Sequence, residues 1–150
     1  MGNRIVTQEE KDLLLRDISG RLPYGLIIEH NGNLSKLDTI FICDNISVSS
    51  TSMDSEIFYN LNLDEFKPYL FPMSSMTEEQ YELLRESGIL SNCSHSYEYV
   101  NPHIHGVSFI FKEFKTYSLE LIEWLNKNHF DYRGLIEKGL AIDCTNLNIY

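Results

Sequence analysis

The sequence is poor in the features that anchor or staple small proteins. Its three cysteines, Cys43, Cys93 and Cys144, are an odd number at wide spacing, which argues against a disulfide framework and for a reducing compartment. No run approaches the roughly 18 apolar residues of a membrane helix. The polar, acidic stretch from Met1 to Glu10 also lacks the apolar centre of a secretory signal. Positive charge is scarce as well. Lys and Arg number 12 against 22 Asp and Glu, giving a formal net charge of -10. Such a chain repels phosphate backbones at long range, so duplex nucleic acid is not an expected partner, and without a spanning run a membrane is not expected either. The eight glycines form no Walker loop, no Gly-x-Gly-x-x-Gly run and no Gly-x-Ser-x-Gly elbow, which removes sequence support for nucleotide hydrolysis, dinucleotide redox chemistry and serine esterase chemistry.

What is present fits one ordinary domain. A chain of 150 residues with 43% hydrophobic and 23% charged residues can bury a sizeable core without disulfides. Thr7 and Glu10 form a capping box that opens a first helix, with Leu14, Leu15 and Ile18 on one flank and Gly20 as its expected stop. Leu26 to Ile28 and Leu34 to Cys43 read as the arms of a hairpin turning at Asn31, Gly32 and Asn33. Ile46 to Val48 and Glu56 to Leu61 supply two further short strands. Strands packed this closely leave no room for helical crossovers. The expected fold is therefore α+β: a small antiparallel SH3-like β-barrel or curled sheet with flanking helices.

Pro68 and Pro72 bracket a stiff extended passage, so the single domain 1–150 is expected to comprise a helix-plus-barrel part over about 1–72 and a helical and β part over about 73–150. Thr77 and Gln80 cap a second helix that ends at Gly88, and Ser118 caps a third carrying Leu121, Ile122, Trp124 and Leu125. Between them, Ser91 to Gly106 shows no clear period and reads as a long loop or irregular ribbon, and Leu140 to Ile142 is strand-like.

Two constellations carry chemistry. Cys93, His95, His103 and His105 have the donor types that zinc prefers, at a spacing unlike the recurrent structural-zinc patterns, so they are weak metal candidates and no cofactor is expected. Alternation along a strand would equally place the histidines on a solvated face. Arg21, Tyr24, Lys67, Tyr69, His129, Tyr132 and Arg133 combine aromatic faces, which stack on bases, with cations that grip phosphate or carboxylate. They are the expected ligand-binding set. Ordinary surface packing of the tyrosines and a local Asp131–Arg133 pair are the blander alternatives.

Three segments, Arg21 to Gly25 (RLPYG), Lys67 to Thr77 (KPYLFPMSSMT) and Trp124 to Ile136 (WLNKNHFDYRGLI), resemble a family of uncharacterised small proteins from gut Bacteroidales and their phages and prophages. The likeness spans most of the chain. It departs at Phe71, where similar sequences carry Arg, and over Ser91 to Gly106. The family implies a setting and not a reaction: the cytoplasm of a bacterial host, and an accessory protein of phage or mobile-element origin. The expectation that follows is a non-catalytic binding protein that sequesters a small nucleotide-like ligand used in host defence, possible as a homo-oligomer. An acidic protein-interaction or inhibitor module acting on a host protein is the alternative, and a metal-dependent enzyme comes third.

Overall fold

The computed structural model describes residues 4–92, 95–103, 106–114 and 117–150, with side chains described outside 91–113. Among the described residues three α-helices, α1 (Gln8–Arg21), α2 (Glu78–Glu86) and α3 (Leu119–Lys127), accompany nine strands. These are β1 (Ile27–His30), β2 (Asn33–Ile42), β3 (Ile46–Ser52), β4 (Ile57–Asn62), β5 (Lys67–Pro72), β6 (His95–His103), β7 (Gly106–Phe114), β8 (Phe130–Asp131) and β9 (Ile142–Asp143). The fold is α+β. Its main sheet is mostly antiparallel, follows the order β4-β3-β2-β1-β5-β8 with β9 also on β5, and is open among the described residues. It is therefore a sheet with two ends and not a closed barrel. No described helix is long and apolar enough to cross a membrane.

The chain falls into two compact units, one made of the described residues up to Leu70 together with Arg133–Tyr150, the other of Phe71–Tyr132. In the first, α1 begins where Thr7 accepts the Glu10 backbone N–H and Glu10 accepts that of Thr7. These bonds, with the Arg4 guanidinium beside the carboxylate, hold Glu10 below the usual glutamate range. The helix continues through Gly20 to Arg21 and gives way to a 3-10 turn at Leu22–Tyr24 that closes at Gly25, φ 71°. The stop expected at Gly20 is thus displaced, because Arg21 is held on the last turn by its bonds to Asp17 four residues earlier. β1 and β2 join through Asn31 and Gly32, both at positive φ (48° and 78°), the type I′ pattern whose twist matches a tight hairpin. Leu14 and Ile18 of α1 pack on Leu26, Ile28, Leu37 and Leu70 of the sheet, and Leu135 and Leu140 return from the tail to the same core.

The second unit has its own core of Met76, Tyr81, Leu84, Leu121, Leu125 and Phe130. Thr77 and Gln80 cap α2 reciprocally, and Ser118 caps α3. Phe71 lies against Phe130 with ring centroids 6.1 Å apart, and Trp124 stacks on the same ring at 5.8 Å. The stretch expected as a long loop or irregular ribbon is largely strand: β6 pairs antiparallel with β7, with register shifts between Ser96 and Tyr97 and between Val100 and His103. Those interruptions are why no clean two-residue period runs through its sequence.

Candidate functional site

The expected ligand-binding residues fall in both units. Arg21, Tyr24, Lys67, Tyr69 and Arg133 belong to the first, His129 and Tyr132 to the second. His129 is buried at positive φ just after α3, and its carbonyl accepts the Phe71 N–H at 2.8 Å. The Tyr132 hydroxyl donates to Asn126 at 2.8 Å, and its ring lies 6.1 Å from that of Tyr117.

In the first unit Arg21 and Arg133 converge on one carboxylate. Arg21 Nε lies 2.8 Å from Asp17 Oδ2 and its Nη2 lies 3.2 Å from Oδ1, while Arg133 Nε approaches Oδ1 at 3.3 Å. The side chains of Asp17 and Arg21 are wholly buried, whereas Arg133 keeps a quarter of its surface. Charges taken out of water require such mutual satisfaction, so this cluster locks α1 to the chain that returns at Arg133. Arg21 has no solvent-facing surface with which to meet a ligand.

Tyr69 is likewise buried, and burial pushes its hydroxyl upward. Its carbonyl accepts the Tyr150 hydroxyl at 2.8 Å, and that same hydroxyl accepts the Ile27 N–H at 3.0 Å. Tyr150 keeps 42% of its surface in solvent, but its hydroxyl is enclosed between these two partners and is raised by that burial, while burial pushes the Cys144 thiol up to about 11. An inert buried thiol is the consequence. Tyr24 is half-buried on the 3-10 turn.

Lys67 has a different setting. It stands at the start of β5 on the wall of a cleft of about 800 Å³ whose lining also includes Glu29, His30, Asn31, Asn62, Asp64 and Glu65, with Arg4, Ile5 and Val6 from the segment before α1. That volume is in the range of small-molecule sites. Strand register places Glu29 directly opposite Lys67. The carboxylate of Glu29 turns over the hairpin to accept the Gly32 N–H at 2.7 Å. Glu65 accepts the Asn62 N–H at 3.0 Å, and Arg4 spends its guanidinium on Glu10 at 2.7 Å and on the Lys138 carbonyl at 2.6 Å. The His30 ring meets Phe58 edge-on at 5.6 Å, and its buried Nδ1 has no hydrogen-bond partner among the described residues. Glu29, His30 and Asn31 escape sequence reasoning because an isolated Glu-His-Asn before a glycine reads only as turn chemistry. Their place in a site follows from the pairing of β1 with β5 across almost forty residues.

Of the metal candidates, Cys93 and His105 lie outside the described residues, and for His95 and His103 only the backbone of β6 is described. No group of three or more His, Cys, Asp or Glu suited to a metal ion occurs among the described residues. No family model, curated protein or solved structure matches the chain.

Proposed function

We propose that this chain is a non-catalytic binding module that takes a small polar ligand into the cleft of its first unit. One observation carries the reading: a site-sized concavity whose wall holds Lys67, Glu29 and His30 on adjoining antiparallel strands and Asn31 at the hairpin turn, with donors and acceptors of both charge signs. Of the seven residues expected to bind ligand, Lys67 alone lines it. Carboxylates outnumber cations on the wall, Glu29, Asp64 and Glu65 against Arg4 and Lys67. A nucleotide-type signal fits this reading when it carries few phosphates. In the phage and prophage setting that the resemblance implies, such uptake would withhold a small molecule from host defence. Amide chemical-shift mapping with a panel of linear and cyclic nucleotides, amino acids and amines tests it. Saturable shifts centred on Glu29–Asn31 and Asn62–Lys67 are the expected result, and shifts elsewhere, or none, overturn the reading.

A second reading, attachment of a protein partner, has its own observation. β4 pairs only with β3 among the described residues and exposes Ile57 at 48% and Tyr59 at 66%, on a sheet end where Phe41 is 44% exposed. Such an edge invites an added strand. Residues 37–66, which carry it, contain Asp38, Asp44, Asp54, Glu56, Asp64 and Glu65 and neither Lys nor Arg, so its natural partner is a basic extended segment. Asn60, at φ 56°, kinks the strand and confines the straight edge to Ile57–Tyr59. Tyr59→Lys should then abolish capture of a lysine-rich peptide while leaving the cleft's ligand binding unchanged; undiminished capture refutes this second mode.

A further inference from the structure

We infer that the ligand of the first unit's cleft is a small zwitterion, a molecule with an ammonium and a carboxylate group a few ångströms apart, as in α-amino acids. This rests on the binding reading above and names its ligand class. Glu29 and Lys67 are register partners on β1 and β5, so their side chains leave the same face of the sheet with Cβ atoms about 4.5–5.5 Å apart. Opposite charges so placed ordinarily join. Among the described residues no ion pair joins them, because Glu29 commits Oε1 to the Gly32 N–H at the hairpin turn. Its Oε2 makes no hydrogen bond among the described residues, and the Lys67 ammonium makes none either. The cleft thus holds a cation and an anion side by side, each with capacity to spare.

The other charged groups of the wall are occupied. Arg4 is held by Glu10 in two hydrogen bonds, of 2.7 and 2.9 Å, Glu65 is bonded to Asn62 by backbone and side chain, and Asp64 faces Lys11 at 3.8 Å. A ligand carboxylate set against Lys67 and a ligand ammonium set against Glu29 would satisfy both free groups without leaving a net charge in the cleft. A purely anionic ligand would face the three carboxylates, and a purely cationic one would leave Lys67 opposed. Ile5, 87% exposed, and Val6 offer an apolar wall for the remainder of the molecule. The hairpin that draws Glu29 away from Lys67 is what keeps the pair open, which gives the Asn31–Gly32 turn a role in the site as well as in the fold.

Isothermal titration with glycine, L-glutamine and L-leucine, beside ethanolamine, acetate and cyclic AMP, tests the inference. The expected result is saturable binding of at least one amino acid, at least tenfold weaker for ethanolamine and acetate, and reduced at least tenfold by Glu29→Gln and by Lys67→Met. Both positions are at the surface of the cleft, and the amide spectrum of each variant verifies its fold. Binding of cyclic AMP alone overturns the zwitterion and leaves the binding reading standing. Amino-acid binding untouched by either substitution overturns the assignment to Glu29 and Lys67. Binding of none of the six probes overturns the zwitterion, and the broader shift mapping then decides the parent reading.

Discussion

The Tyr150 hydroxyl donates to the carbonyl of Tyr69 at 2.8 Å while it accepts the Ile27 N–H, and so occupies the place of a ladder bond between β1 and β5. The register explains why. Ile28 pairs with Pro68 and Glu29 with Lys67, so the next residues in line are Ile27 and Tyr69. Pro68 has no N–H to contribute, and beyond it the strands are bridged by a phenol instead of joining directly. The side chain that does this lies 81 residues after Tyr69, and it fixes the two strands whose facing residues build the cleft.

Tyr150→Phe should therefore leave the Ile27 N–H and the Tyr69 carbonyl short of a partner and lower the stability of the first unit by about 1–3 kcal/mol. Urea unfolding measures this. A loss close to zero would mean that the strands close directly when the hydroxyl is removed.

Stability should also fall in alkali. Tyr69 and Cys144 are buried and the Tyr150 hydroxyl is enclosed between its two partners, and all three values are raised, so the folded state holds these protons more tightly than the unfolded chain does. Their contribution is whole below the ordinary values of 9.0 for Cys144 and 10.0 for the tyrosines, and is lost as pH rises through and beyond them. Urea midpoints taken from about pH 8 upward should decline, and Tyr150→Phe should decline less steeply from a lower start; parallel curves would refute a role for Tyr150.

Asp17→Ala removes the carboxylate that Arg21 and Arg133 share and takes a buried negative charge from beside the buried Arg21, a change expected to cost about 3–5 kcal/mol. Arg133→Ala should cost less, since a quarter of that side chain is in water. Equal losses in thermal or urea unfolding would contradict a cluster centred on the Asp17–Arg21 pair.

Elements written in local chemistry were legible in the sequence. Thr7–Glu10, Thr77–Gln80 and Ser118 mark their helix starts because a cap is decided within four residues, and Asn31–Gly32 marks its hairpin for the same reason. Three features were not legible. α1 overruns Gly20 because a buried Asp17–Arg21 pair outweighs a glycine's preference to end a helix. β6 hides because its pairing with β7 shifts register twice. The cleft depends on Glu29 meeting Lys67 across residues that form three other strands, and no spacing rule carries information over that distance. The basic and aromatic set shares a chemistry that the sequence displays, but burial decides which members reach solvent: Arg21 and Tyr69 are enclosed, and Lys67 remains exposed.

Native mass spectrometry of the intact protein and of Lys67→Met, each incubated with the nucleotide, amino-acid and amine panel, tests the central claim most directly. The account predicts a stoichiometric mass gain on the wild-type chain from a small polar molecule and its loss in the variant. An unliganded wild-type mass across the whole panel, or a gain that Lys67→Met leaves intact, would contradict it.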